Sequence, residues 1–407
     1  MIDRYLERIA FADDWGRQMR FIAGPRQAGK TTLAKFLLEK AGSSKLYYLW
    51  DSRVVRERYK ENELFFTADI DWSSKDKYWV CFDEVHKYPK WKNVLKGVFD
   101  QVSDDCRIIV TGSAKLDILK RAGDSLAGRY FTFHLFPLIL REVKSVAWQS
   151  SLVPDRSAAD YLSMVFSREP GSGAGELEAM LEFGGFPEPF LSQNSRFHRK
   201  WQSEYIETVI REDIGLLTRI IDREYIFDLY SLLPEMVGSP ISESSLASHI
   251  QVSPPTIKNY LRRLEDFYLT FSLRPYSRNI KRSLLRASKC YLYDWTKVVN
   301  RAARFENYVA CELKANLSLW SDLTGEKYEL FYIRNKEKKE SDFLILRNKS
   351  PWLLVEVKLS DTSVERHHVD ASIALGEIPV VQVCLERGVM VQQSKRCFRV
   401  SADRFFG

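Results

Sequence analysis

Apolar residues along this chain fall into short runs, and the runs alternate with amphipathic stretches. Met19 to Ala23, Leu46 to Trp50, Tyr78 to Phe82, Arg107 to Thr111 and Tyr130 to Leu135 each read as a strand. The stretches separating them are long enough for crossover helices, and the first, Thr32 to Lys40, places leucine and phenylalanine at helical spacing. Strands alternating with helical patterns predict an α/β fold built on a parallel sheet with helices on both faces.

Beyond residue 150 the pattern changes. Glu169 to Gly175 is a Pro, Gly and Ser cluster that reads as a loop or linker, and Phe197 to Glu212 and Arg223 to Val237 read as helices. Ser245 to Gln251, the turn Val252-Ser253-Pro254-Pro255 and Thr256 to Phe267 form a helix, a turn and a second amphipathic helix, with Ile257, Tyr260, Leu261 and Leu264 on one face. This is a helix-turn-helix pattern, and Leu269 to Pro275 follows as the strand of a wing. Last come a helix from Phe305 through Leu319, a strand beginning Phe331-Tyr332-Ile333, two strands (Ser341 to Leu346, Trp352 to Lys358) around the turn Arg347 to Pro351, and an apolar strand Pro379 to Leu385.

A length of 407 residues implies two or three cores at roughly 150 residues each. The expected segments are 1–150 for the sheet domain, 151–237 for a helical lid, 238–288 for the winged helix and 289–407 for the C-terminal domain. Hydrophobic content of 45% with 28% charge is that of a soluble globular protein, and no apolar run reaches the roughly 18 residues of a spanning helix. The N-terminal stretch carries acids and lacks a signal-peptide pattern, so a cytoplasmic location without a membrane partner is expected. The six cysteines show no C-x-x-C spacing and read as reduced, buried thiols rather than a disulfide framework or zinc site. The net charge of +7 is unevenly spread: residues 258 to 304 hold twelve Lys or Arg against three acids. A basic block of this kind suggests a polyanion partner, and DNA is the partner expected.

The candidate chemistry begins at Gly24-Pro25-Arg26-Gln27-Ala28-Gly29-Lys30-Thr31-Thr32, which satisfies the phosphate-loop pattern G-x-x-x-x-G-K-[ST] between a strand and a helix. Its backbone N–H groups would face phosphate oxygens, Lys30 would reach the terminal phosphates of ATP, and the Thr31 hydroxyl would ligate Mg²⁺. The strand Trp79 to Phe82 runs into Asp83 and Glu84. Asp83 would hold magnesium, and Glu84 would orient or deprotonate the water attacking the terminal phosphate. Val110-Thr111-Gly112-Ser113 closes the next strand, where Ser113 is either a phosphate sensor or the N-cap of a helix from Ala114 to Arg121. Arg129 is either a charge-neutralising finger, for its own or a neighbouring site, or a surface ion pair.

In the C-terminal segment, a hairpin centred on Lys349 pairs position 342 with 356. Asp342 and Glu356 then share one face, and Lys358 joins them through the two-residue period of a strand. Two carboxylates side by side repel unless a cation sits between them. On the second helix of the helix-turn-helix, Lys258, Arg262 and Arg263 point outward, with Arg278, Lys281 and Arg282 on the wing. They either contact DNA phosphates or form a solvated face of a structural winged helix. Gln382 is a further candidate, whereas His367 and His368 read as solvent-facing on a helix.

The segments GPRQAGKTT, CFDEVHKYPKW, VTGSAKLDIL, DSLAGRYFTFHLFPL and GGFPEP together resemble the bacterial and archaeal AAA-type ATPases that carry a C-terminal domain of unknown function, DUF4143. The resemblance spans nearly the whole chain. It implies an additional-strand P-loop ATPase core, a helical and winged-helix middle and a restriction-endonuclease-like C-terminal domain. Asp342 and Glu356-Val357-Lys358, with Glu306 from the preceding helix, are similar to the PD-(D/E)xK nuclease superfamily, although Ser341 stands where the label has proline. That similarity implies Asp342 and Glu356 as ligands of Mg²⁺ or Mn²⁺, Glu306 as a helper and Lys358 as the group that positions water. The expected activity is ATP-dependent DNA processing. The rival is a nucleotide-controlled switch that binds without cleaving, and a purely transcriptional regulator leaves the triad without a role. A homo-oligomer stays open.

Overall fold

The computed structural model describes residues 2–72, 77–112, 126–147, 157–167, 174–214, 220–277, 287–335 and 337–407. Ser113, the expected helix Ala114 to Arg121, residues 169–173 of the expected linker, and Arg278, Lys281 and Arg282 lie outside them. The chain forms two compact units, Asp3–Pro137 and Leu138–Glu265 with Leu269–Gly407.

In the first unit, strands β1 (Met19–Ala23), β2 (Tyr47–Leu49), β3 (Tyr78–Asp83), β4 (Cys106–Thr111) and β5 (Tyr130–His134) form one sheet in the order β2-β3-β4-β1-β5. Every neighbouring pair is parallel. β1 and β4 are buried along their whole length, as continuous apolar runs in a sheet covered on both faces must be. Met19, Phe21, Tyr48, Trp50, Phe82, Val80, Ile108 and Val110 pack with Trp91, Leu95 and Val98 of the helix Trp91–Gln101 into one core. β4 lies between β1, which leads into the phosphate loop, and β3, which ends in Asp83. This is the additional strand that the resemblance implies. Its last residue, Thr111, is in register with Ile22 on one side and Asp83 on the other, so three strand ends meet at one point.

The second unit holds the helical middle and two sheets. Helices Glu243–Ile250 and Pro254–Asp266 are followed by β6 (Thr270–Leu273), paired antiparallel with β7 (Lys289–Leu292). The helix-turn-helix and a wing strand are therefore present, and Ile257, Tyr260 and Leu264 form the buried face of the second helix. A 24-residue helix, Arg301–Thr324, is capped by the Asn300 side chain at its start and by left-handed Gly325 at its end. It precedes a six-stranded sheet in the order β12-β13-β11-β10-β9-β8. Here β8 (Tyr328–Arg334), β9 (Glu340–Arg347) and β10 (Ser350–Lys358) form an antiparallel meander. The helix Arg366–Ala374 then leads to β11 (Val380–Cys384), parallel to β10, and β12 (Met390–Gln392) and β13 (Cys397–Ser401) complete the sheet. The six cysteines are free and buried. No helix among the described residues is long and apolar enough to cross a membrane.

The hairpin differs from expectation in an instructive way. Its loop is only Asn348-Lys349, both at positive φ as a tight two-residue turn requires, and Arg347 pairs with Ser350. Continued unbroken, that register would set Asp342 opposite Val355 and turn the carboxylates to opposite faces. An irregularity between Pro351 and Leu353 absorbs one residue, after which Val355 pairs with Phe343 and Glu356 falls beside Asp342. The expected neighbours are found, by way of a bulge instead of a turn centred on Lys349.

Candidate functional site

The phosphate loop is shaped by backbone that only glycine tolerates. Gly24 has φ +144°, and a Cβ there would stand 2.1 Å from the Leu135 carbonyl oxygen. Gly29, at φ +97°, opens the helix Lys30–Lys40, whose first amides have no partner within the helix and are available to an anion. The Arg4 guanidinium donates to the Ala28 carbonyl at 2.9 Å and to the Phe136 carbonyl at 2.6 Å, pinning the loop from outside. Arg4 carried no sequence signal. The Lys30 ammonium is buried and donates to the carbonyls of Gly24 (2.9 Å) and Pro25 (2.6 Å), acceptors with which a phosphate oxygen would compete for the ammonium.

Asp83 sits where the three strand ends meet. The Thr31 hydroxyl donates to its Oδ2 at 2.8 Å, Tyr47 donates to the same oxygen at 2.5 Å, and Thr111 donates to Oδ1. Burial, and then the hydrogen bond to Asp83, hold Tyr47 well above the ordinary tyrosine range, so it stays a donor. Tyr47 was missed in sequence because a tyrosine on an apolar strand reads as core. Thr31 and Asp83 in contact form the donor set for magnesium beside a triphosphate, so the residues fit that group. Glu84 follows at φ +57°, an uncommon left-handed conformation for a non-glycine residue, with its N–H bonded to the Thr111 carbonyl at 3.0 Å. Its carboxylate lies 3.4 Å from His86 Nε2 and 3.6 Å from Lys87 Nζ. Thr32 and Gln27 are exposed, Arg26 is half-buried, and Pro25 and Ala28 are buried.

Arg129 is corrected as a finger for its own site. It precedes β5, whose first residue Tyr130 is in register with Met19, at the opposite end of β1 from the phosphate loop. Its guanidinium grips Asp100 with two bonds of 2.8 and 3.0 Å, which is the surface ion pair.

On the second helix of the helix-turn-helix, Lys258 and Arg262 are exposed and Arg263 is half-buried, opposite the apolar face. One member of the basic block belongs elsewhere. Lys289 is only 1% exposed. Its ammonium lies 3.5 Å from Glu306 Oε1, 3.2 Å from Glu340 Oε2 and 3.8 Å from Asp342 Oδ1, and 5.4 Å from the ring centre of Tyr332. Burial works against its charge, but Glu306, Asp342 and Glu340 outweigh it and hold the ammonium above its ordinary value. Tyr291 adds a hydrogen bond to Glu306 at 2.7 Å. Gly238 abuts the same carboxylate so closely that a Cβ would stand 2.7 Å from it.

Asp342 and Glu356 are brought together as expected. The Asp342 N–H donates to Glu356 Oε2 at 3.3 Å, and the Val357 N–H donates to Asp342 Oδ2 at 2.9 Å. Lys358 Nζ reaches Glu356 Oε1 at 2.9 Å. Burial, then repulsion from Glu306 and Glu356, raises Asp342 well above the carboxylate range. Glu340, two residues before Asp342 on the same face of β9, was missed, although the strand period would have found it. His368 corrects another expectation, since it is 1% exposed. Its Nδ1 is 2.8 Å from Ser341 Oγ and 3.5 Å from Glu356 Oε2, and burial first, then the neighbouring His367 and Lys358, lowers it to about 3, so it is neutral. His367 is half-buried, with Nε2 3.0 Å from the Glu340 carbonyl. Gln382 stands beside Glu356 on β11, its Nε2 donating to the Thr362 carbonyl at 2.6 Å.

A divalent metal does not fit this cluster as it stands. Lys289 already places a cation among Glu306, Glu340 and Asp342, Arg334 pairs with Glu340 at 3.2 Å and Lys358 with Glu356. Among the described residues, four carboxylates are thus met by three cations.

Residues 16–144 match the AAA domain, 174–300 a domain of unknown function, DUF8612, and 302–404 the domain of unknown function DUF4143. An uncharacterized protein of Mycobacterium tuberculosis is 26% identical over 87% of this chain and 73% of its own length. One from Methanocaldococcus jannaschii is 26% identical over 86% and 77%. Among solved structures, the Aeropyrum pernix Orc1 protein in complex with DNA shares 13% identity over 72% of this chain and 86% of its own, at a TM-score of 0.30. Cdc6p from Pyrobaculum aerophilum shares 11% over 76% and 95%, at 0.28. Likenesses at such scores are too weak to carry function across. Residues 16–144, with the phosphate loop and the additional strand, are thus an AAA domain and residues 302–404 a DUF4143 domain, in the order that the resemblance implies.

Proposed function

We propose that this protein binds and hydrolyses ATP, and that its nucleotide state controls how the winged helix and the C-terminal domain engage DNA. The observation that carries the first half is the meeting of Thr31, in the first turn of the helix Lys30–Lys40, with Asp83 and Thr111 at the ends of adjacent strands. Lys30 exchanges its loop carbonyls for terminal phosphate oxygens. Magnesium, when bound beside Thr31 and Asp83, neutralises charge that develops on the phosphates. Glu84, fixed by its backbone bond to Thr111, orients the attacking water and accepts its proton. Support for the second half comes from the exposed Lys258 and Arg262 opposite the apolar face of a helix-turn-helix.

Of the two readings of the C-terminal domain, cleaving or binding only, the buried Lys289 favours binding without cleavage. The test of the ATPase reading is a pair of variants. Lys30→Ala loses ATP affinity, whereas Glu84→Gln keeps affinity and loses turnover by about 10²-fold or more. Undiminished turnover in Glu84→Gln would remove Glu84 from this role.

A further inference from the structure

We infer that Lys289 is the resident cation of the C-terminal carboxylate cluster, standing among the acidic groups to which the nuclease-like fold would bring a divalent metal. Side-by-side carboxylates on a sheet need a positive charge between or beside them. Here the chain supplies it covalently, from β7, a strand outside the six-stranded sheet. Three independent carboxylates converge on the ammonium: Glu306 from the long helix, and Glu340 and Asp342 from one face of β9. A buried ammonium persists only where such partners offset its lost hydration. The enclosure is tight as well, with Tyr291 bonded to Glu306, Tyr332 beneath the ammonium and Gly238 against the Glu306 carboxylate. Lys358, which would position water in a cleaving enzyme, is occupied in an ion pair with Glu356.

The consequence is a domain that keeps a cluster of carboxylates while their charge is met without metal. Removing the ammonium should therefore create a metal site. The experiment is calorimetric titration of the metal-stripped, nucleotide-free full chain with Mn²⁺, for wild type, Asp342→Asn, Lys289→Met and Lys289→Met/Asp342→Asn, with thermal melting of each alongside. Wild type and Asp342→Asn should bind Mn²⁺ alike, showing no site that depends on Asp342. Lys289→Met should gain one equivalent of Mn²⁺, melt at higher temperature when Mn²⁺ is present, and lose both effects in the double variant. Mn²⁺ binding in wild type that Asp342→Asn abolishes would overturn the inference, as would a folded Lys289→Met that gains none. Should Lys289→Met fail to fold, removal of a negative charge in the double variant should recover folding in part, and no recovery would contradict a neutralising role.

Discussion

Glu312 shows what one buried ionisable residue does for this fold. It is 2% exposed within the long helix Arg301–Thr324, and it accepts hydrogen bonds from the Leu140 N–H at 2.7 Å and the Tyr308 hydroxyl at 3.1 Å. It thereby ends the orphaned backbone at the start of the short helix Leu140–Val143. Burial raises it from 4.5 to about 8, against the smaller opposing pull of those donors and of Arg141. The folded chain therefore holds a proton between pH 4.5 and 8 that the unfolded chain has released, and stability from this group falls as pH rises through that window. Glu312→Gln mimics the protonated form and lacks this slope. Melting temperatures followed from pH 5 to about 8 should thus decline more steeply for wild type than for Glu312→Gln. Parallel declines would show that Glu312 does not carry the proton.

At the scale of elements, the helix Pro254–Asp266 has one apolar and one basic face. Ile257, Tyr260 and Leu264 bury one side, and Tyr260 is further fixed by a 2.8 Å bond to Asp222. Lys258 and Arg262 are exposed and Arg263 is half-buried, and these are the groups proposed to meet DNA. Replacing Arg262 and Arg263 by alanine should lower the slope of log affinity for duplex DNA against log salt by about one unit per lost phosphate contact. An unchanged slope would make this a structural winged helix.

Elements also show what could be read from sequence. Strands with all-apolar runs, the glycines of the phosphate loop and the Asp-Glu strand end were legible because each rests on local backbone chemistry. Lys289 was not: in sequence it is one more lysine in a basic stretch, and only the pairing of β6 with β7 turns it inward. The hairpin register depends on a bulge near Trp352, which compensates a tighter turn and leaves no compositional mark. Tyr47 and Arg4 act through partners 36 and 24 residues away, separations that a periodicity argument does not span.

For the whole molecule, the proposed linkage runs from the phosphate loop in one compact unit to the helix-turn-helix in the other. Such a linkage has to appear as a coupling free energy, commonly about 1–3 kcal/mol, or roughly 5- to 150-fold in affinity. The most direct measurement is the affinity of the full chain for duplex DNA without nucleotide, with ADP, and with ATP in the Glu84→Gln variant, which should hold ATP without turning it over. The proposed coupling predicts salt-dependent binding whose affinity differs by at least about five-fold between the ATP and ADP states. Equal affinity in all three states, or no binding in any, would contradict it.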